Sequence, residues 1–137
     1  MKATKRIGVW MDYSVARLIE FTSNQNFKVT VVESNATGLD TQEGLQHSEN
    51  VLNNKISRTL SAYYKELIEL VKNYDEIVLF GPTKAKLELY NMIREDHKYD
   101  HLKIETKSAD KMSYQEQHEF IQEYFSKLLN YESSYNK

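Results

Sequence analysis

An aspartate at the end of an apolar segment is the first residue that could do chemistry. Asp12 follows segment 6–11, a position from which a nuclease could hold a metal ion. Such hydrolysis needs several carboxylates that converge on two cations, and segment 77–81 has none. Aspartate commonly closes a turn, because its side chain accepts backbone hydrogen bonds. We therefore predict a turn at Asp12 and no nuclease activity.

Two histidines, His97 and His101, have a spacing that could chelate a metal ion. On a helix, residues four apart share a face, but a zinc site needs a third ligand from another element. This segment lies where a helix is predicted to end, and a histidine is favourable near that negative end. His47 and His118 stand alone in the sequence. We therefore predict solvated histidines at 97 and 101, no metal site and no cofactor.

A glycine-proline turn, Gly81-Pro82-Thr83, joins an apolar segment to a predicted helix. Backbone N–H groups at the start of a helix can hold a phosphate, and Lys84 and Lys86 would assist there. The spacing matches neither a Walker loop nor a dinucleotide fingerprint. Glycine also supplies unusual backbone angles, and proline favours the first turn of a helix. The sequence favours a structural turn and leaves phosphate binding as the alternative.

A row of basic residues follows the face opposite the apolar stripe of the longest predicted helix. Its members are Lys55, Arg58, Lys65 and Lys72. Glu66 and Glu69 oppose them in the second half of the helix, whereas the first half has no opposing acid. Such a row could bind an RNA backbone with salt-dependent affinity. It is also typical of the solvent face of any surface helix.

The segments that must position these residues predict five strands and three helices. Alternating or wholly apolar runs indicate strands at 6–11, 14–21, 27–33, 77–80 and 102–106. Apolar steps of three and four indicate helices at about 51–74, from the Gly-Pro turn to about 97, and after Ser113. Side chains are predicted to face inward from all three helices: Tyr63, Leu67, Val71 and Tyr74 from the first, Leu87, Tyr90 and Ile93 from the second, and Tyr124 from the third. Ser113 and Glu116 fit a capping box at the start of the third.

This order, β-β-β-α-β-α-β-α, predicts an α/β fold with a mixed five-stranded sheet. The first three strands would form an antiparallel meander, and the two βα units would place parallel strands at the centre under packed helices. The element order is that of the ribonuclease H-like architecture. We predict one domain over residues 1–130 and a polar tail over 131–137, with a long polar loop at 34–50.

Composition limits the classes of function. The net charge of −2 creates no global attraction to nucleic acid. Without cysteine, the 137-residue chain has no disulfide, thiolate nucleophile or cysteine-bound zinc. No apolar run approaches the roughly 18 residues of a membrane span, and no signal peptide follows the basic N-terminus. We therefore expect a cytoplasmic protein without a membrane partner.

Three segments together resemble a known family. Ile77-Val78-Leu79-Phe80-Gly81-Pro82-Thr83-Lys84-Ala85-Lys86, Ile104-Glu105-Thr106 and Ser108-Ala109-Asp110-Lys111-Met112-Ser113 look like the bacterial relatives of the archaeal and eukaryotic peptide-chain release factor. The resemblance is to the middle domain, which is shared with the ribosome-rescue factor Pelota. It covers most of the chain after about residue 49 and implies a ribonuclease H-like, release-factor middle-domain-like fold.

The resemblance also implies a translation-associated role. In the release factor a Gly-Gly-Gln tip before the long helix assists hydrolysis of peptidyl-tRNA. The matching loop here has Gly44, Leu45 and Gln46, so one glycine is replaced, and its acidic residues would repel phosphates. We expect binding to ribosome or tRNA without hydrolysis, with Gln46 as the residue to test for catalysis. The alternative is a small protein-interaction or regulatory domain with no nucleic-acid partner.

Overall fold

Five strands and three helices make up the part of the chain that this computed structural model describes. That part comprises residues 4–22, 28–34 and 49–135, excepting the side chains of 49–56 and 131–135. In chain order the elements are β1 (Arg6–Met11), β2 (Val15–Phe21), β3 (Lys28–Glu33), α1 (Glu49–Val71), β4 (Glu76–Gly81), α2 (Ala85–Arg94), a 3₁₀ turn (His97–Tyr99), β5 (Lys103–Ser108) and α3 (Tyr114–Tyr135). The predicted element order is confirmed.

The strands form one mixed sheet in the spatial order β3-β2-β1-β4-β5. β1 pairs antiparallel with β2, and β2 pairs antiparallel with β3, as a meander requires. β1 and β4 are parallel, as are β4 and β5. Parallel neighbours need a crossover, which α1 and α2 supply. The predicted α/β fold with parallel pairing at the centre of the sheet is therefore confirmed.

One face of the sheet packs against α1 and α2. Alternate residues of each strand point to this face, and Ile7, Val9, Leu18, Ile77 and Leu79 are among its buried side chains. The apolar stripe of α1 covers them with Tyr63, Tyr64, Leu67, Ile68 and Val71. The predicted stripe held Tyr63, Leu67 and Val71; Tyr64 and Ile68 widen it on the side towards α2.

The opposite face is covered by α3. Val78, Phe80 and Ile19 meet Ile121 and Phe125 there, and the chain's one tryptophan, Trp10, is 7% exposed in the same cluster. Gly8 lets α3 approach closely, since a Cβ at that position would lie 2.4 Å from the Ile121 Cγ1. The sheet is thus the middle of three layers and carries a core on each face.

The helix ends refine two predictions. α2 stops at Arg94 rather than near His97, and the Arg94 guanidinium donates to the carbonyls of Tyr99 and Leu102 at 3.2 and 2.8 Å. α3 continues to Tyr135, so most of the backbone assigned to a polar tail is helical. At its start the capping box is confirmed: the Ser113 N–H donates to Glu116 and the Glu116 N–H donates to Ser113.

The inward prediction for Leu87 is wrong. Its side chain is 41% exposed, whereas Ala85, Leu89 and Ile93 are buried. Ala85, Leu89 and Ile93 are four residues apart, so they share the face of α2 that packs against the sheet. Leu87 lies on the other side of that helix. Among the described residues, no helix is both long enough and apolar enough to traverse a lipid bilayer.

Candidate functional site

The solvent face of α1 carries the basic residues that the sequence singled out. Arg58 and Lys65 are both exposed and lie seven residues apart, so they share one face after two helical turns. The buried residues Tyr64 and Leu67 hold the opposite face against the sheet. Lys55 lies on the same helix, but its side chain falls outside the described residues. The structure thus brings Arg58 and Lys65 together on one accessible surface.

Charge pairing separates the two halves of this surface. Lys72, one helical repeat after Lys65, is neutralised by Glu69 at 2.7 Å, and this carboxylate raises the pKa of Lys72. Within residues 4–22, 28–34 and 57–130, no carboxylate forms an ion pair with Arg58 or Lys65. Among the described residues of this row, the cations without an ion pair therefore lie before Glu69.

A cavity of about 480 Å³ lies beside Arg58, between α1 and the end of β3. Its lining consists of Glu33, Ser34, Arg58, Thr59, Ala62, Tyr63 and Glu66. Arg58 is the cation among these residues, and Glu33 and Glu66 give the cavity a mixed charge. An anion would meet the Arg58 guanidinium most favourably from the solvent side, away from both carboxylates.

Tyrosine hydroxyls fix the position of α1 over the sheet. The Tyr63 hydroxyl donates to the Asp12 carbonyl at 3.0 Å, and the Tyr64 hydroxyl donates to Glu88 of α2 at 2.7 Å. Tyr13 donates to the same Glu88 carboxylate at 3.0 Å. Burial raises the pKa of Tyr63 and of Tyr64, and Glu88 raises the latter further. These protonated phenols tie α1, α2 and the turn after β1 together, so Arg58 and Lys65 project from a fixed helix.

The Gly-Pro turn has the structural role that the sequence favoured. Gly81 has a φ of 152°, and a Cβ there would lie 2.1 Å from the Met11 carbonyl oxygen. The Thr83 hydroxyl then accepts from the Ala85 N–H at 3.2 Å, in the first turn of α2. Lys84 is exposed at the N-cap position of α2. Phosphate binding by Lys84 stays a prediction.

Lys86 departs from the surface role assigned to it. The side chain is 5% exposed, and its ammonium group donates to the Thr83 carbonyl. Burial lowers the pKa of Lys86. A buried ammonium that already contacts a carbonyl is unsuited to an external phosphate contact.

Asp12 closes the turn between β1 and β2, as predicted. One carboxylate oxygen accepts from the N–H groups of Ser14 and Val15 at 2.8 and 2.9 Å. The Asp12 N–H also donates to the Val15 carbonyl at 3.0 Å. The carboxylate is thus occupied by its own turn.

The histidines at 97 and 101 are solvated, although not at the end of α2. His97 begins the 3₁₀ turn and contacts Asp100 at 3.1 Å with its side chain 91% exposed. His101 is also exposed. In the ranges that the structure describes, no three histidine or carboxylate side chains are grouped to hold a metal ion. His118 lies near Arg17; burial, and then that cation, lower the pKa of His118.

The structure does not describe residues 35–48, which include Gly44, Leu45, Gln46 and His47. The candidate catalytic role of Gln46 therefore stays a prediction.

The fold resembles that of a part of each of two proteins of known structure. The Pelota protein of Thermoplasma acidophilum is 20% identical, with a TM-score of 0.55 over 86% of this chain and 32% of that one. The archaeal translation termination factor aRF1 is 9% identical, with a TM-score of 0.51 over 93% of this chain and 40% of its own. The chain therefore spans well under half of either protein. No protein-family model and no curated protein matches the sequence.

These likenesses confirm the predicted release-factor and Pelota-like fold. At such identities they establish the fold alone, because one fold hosts many functions. Sequence reasoning did not find the contact of Tyr13 and Tyr64 with Glu88. The three residues lie on separate segments, so no single pattern predicts their contact. The one signal in the sequence was that Tyr64 lies beside the predicted apolar stripe, where its ring could be buried and its hydroxyl could need a partner.

Proposed function

We propose that the chain is a translation-associated domain that binds the ribosome or tRNA and does not hydrolyse peptidyl-tRNA. The observation that carries the proposal is that Arg58 and Lys65 are exposed on a helix fixed over the sheet and form no ion pair with the residues that the structure describes. The likeness in fold to Pelota and to an archaeal termination factor supports a translational setting. Lys55, on the same helix, and Lys84, at the start of α2, are further candidate contacts.

A phosphate backbone suits this surface. Two turns of helix separate Arg58 from Lys65 by roughly 10 Å, a span that lets two cations reach different phosphates of one RNA strand. Each phosphate that is neutralised releases counterions, so affinity falls as salt rises. The net charge of −2 means that binding must come from this local surface and not from the field of the whole molecule.

Cosedimentation with purified ribosomes, and filter binding of bulk tRNA, across a salt series would test the proposal. We expect binding at low salt to be weakened about tenfold or more by Arg58→Glu/Lys65→Glu, because charge reversal removes two attractions and adds two repulsions. The slope of log affinity against log salt should fall by about 1 to 2.

The matched control is Lys111→Glu/Lys127→Glu, which makes the same change in net charge on the side of the molecule that α3 covers. Both lysines are exposed, and we expect this variant to bind as the wild type does. Equal weakening by the two double variants, or no binding of either RNA at low salt, would contradict the proposal.

The alternative function is a protein-interaction domain. The polar loop predicted at 34–50 is one candidate contact, and its residues 35–48 lie outside the described residues. A different observation favours a protein contact: Val29 and Val31 are exposed on β3 at the edge of the sheet. This contact does not compete with the RNA surface, which lies on the opposite side of the sheet.

A further inference from the structure

The two edges of the sheet differ in how they resist pairing with another strand. β5, at one edge, carries Lys103, Glu105 and Lys107 at alternate positions, and Glu105 binds Lys107 at 2.9 Å. Charged side chains, lysine above all, are how proteins protect an edge from pairing. β3, at the other edge, has Val29 and Val31 at 36% and 55% exposure. Among the described residues, β3 thus presents valines at two alternate positions where β5 presents charged side chains, and its own charges, Lys28 and Glu33, stand at its ends.

The hydrogen-bond pattern shows which backbone groups of β3 point outward. The Ser34 N–H donates to the Ser14 carbonyl at 2.8 Å, and Ser14 continues the β2–β3 register, in which Ala16 faces Val32 and Leu18 faces Thr30. Hydrogen-bonded pairs alternate with non-bonded pairs in an antiparallel ladder. The even-numbered residues of β3 therefore bond to β2. The N–H and C=O groups of Val29, Val31 and Glu33 point away from it, and no strand of the described chain pairs with them.

We propose that β3 pairs antiparallel with β3 of a second copy of this chain, with Val31 at the twofold axis. An axis perpendicular to the sheet keeps corresponding faces on the same side and places Val31 opposite the second copy's Val31. Val29 then lies opposite the second copy's Glu33. This register uses all three outward-pointing residues of each strand as hydrogen-bonded pairs.

Charge favours this direction of pairing. β3 begins at Lys28 and ends at Glu33. Antiparallel pairing brings the Lys28 end of each copy beside the Glu33 end of the other, whereas parallel pairing would set like charges side by side. The Lys28 and Glu33 side chains point to opposite faces of the sheet, so the charges favour the antiparallel direction through the ends of the strands and not through a direct ion pair.

An apolar surface continues from the strand on the α3 side of the sheet. Arg17 lies opposite Val31 on β2, and its guanidinium carbon is 3.8 Å from the centroid of the Tyr114 ring. Tyr114 is 69% exposed. In the dimer both copies present Val29, Val31 and Tyr114 on the same side, so the joined sheet buries more than a backbone ladder alone. Pairing of one six-residue strand still buries little area, and we expect a weak dimer.

Sedimentation velocity of the full chain between about 1 and 500 µM would test the dimer. We expect a reversible monomer–dimer equilibrium, and we expect Val31→Lys to weaken it about tenfold or more, since two ammonium groups would meet at the axis. The matched control is Leu87→Lys, which places the same charge at an exposed apolar residue of α2 and should leave the equilibrium unchanged. A monomer at every concentration, or a dimer insensitive to Val31→Lys, overturns the proposal.

The register has its own test, because the chain contains no cysteine. Hydrogen-bonded antiparallel pairs have Cα atoms about 5.5 Å apart, within the range that a disulfide spans. Under mild oxidation Val31→Cys should therefore form a covalent dimer, whereas Leu87→Cys should not. If Thr30→Cys crosslinked faster than Val31→Cys, the proposed register would be overturned. If Leu87→Cys crosslinked as fast as Val31→Cys, the proposal that β3 forms the dimer contact would be overturned.

Discussion

Tyrosine hydroxyls join distant segments of this protein through carboxylates. Tyr64 and Tyr13 donate to Glu88, Tyr74 donates to Glu20 at 2.7 Å, and Tyr124 donates to Glu105. Each ring packs against apolar neighbours while its hydroxyl reaches the border of the core. Helical periodicity predicted that Tyr63, Tyr74 and Tyr124 face inward. The groups that accept their hydrogen bonds, the Asp12 carbonyl and the Glu20 and Glu105 carboxylates, lie on other segments, so a pattern along one segment could not predict these pairs.

Tyr74 gives a prediction for alkaline pH. Burial, and then the hydrogen bond to Glu20, raise the pKa of Tyr74 to about 12. A raised folded-state pKa means that the stabilisation is complete below the unfolded value of 10.0 and is lost as the pH rises towards 12. We expect Tyr74→Phe to cost about 1 kcal/mol at pH 7.

The difference in urea unfolding free energy between wild type and Tyr74→Phe should shrink from pH 10 to 12. The other tyrosines titrate in both proteins and cancel in this difference. A constant difference over that range would contradict the assignment.

At the scale of elements, local patterns predicted most of the architecture. β1 has the predicted bounds, and the order of strands and helices is confirmed. The signals that succeeded are local: alternation, turn residues and the capping box. Leu87 and Lys86 were misplaced because the orientation of α2 is set by contact with the sheet, where the small Ala85 fits. The position of β3 at an edge also depends on the whole sheet.

The capping box allows a test at this scale. Ser113→Ala removes the acceptor for the Glu116 N–H at the start of α3, and we expect a loss of about 1 kcal/mol in the free energy of unfolding. Ser113→Asp restores an acceptor and should recover most of that loss. Urea unfolding followed by circular dichroism would measure both. An aspartate variant as unstable as the alanine variant would show that the cap is not what stabilises the helix.

At the scale of the molecule, one sheet is shared by two cores. Leu67 of α1 packs on one face, and Trp10 lies under α3 on the other. The sequence predicted helices packed over a mixed sheet, and the structure divides them between its two faces. The sequence did not predict the binding partner, because whether Arg58 and Lys65 form ion pairs depends on which acids the fold brings near them. The solved relatives match over a third to two fifths of their lengths and share the fold.

A shared sheet should unfold as one unit. Leu67→Ala leaves a cavity under α1 and should cost about 3 kcal/mol. We expect the Trp10 fluorescence transition, which reports the opposite face, to shift to lower urea together with the far-ultraviolet dichroism. Leu87→Ala, at an exposed site, should shift neither signal appreciably. A Trp10 transition that stays in place while the dichroism moves would show two separate units.

The edge strand β3 has one deeply buried side chain and is otherwise held by its backbone ladder to β2. Of the six residues of β3, Val32 is buried at 4% exposure and the other five are exposed. Such a strand should detach more readily than β1 or β4, whose side chains fill both cores. Any molecule that occupies its outer side also suppresses this opening, because binding to the closed form alone adds to its stability. Binding at the outer edge of β3 and the stability of the β1-β2-β3 meander are therefore thermodynamically linked.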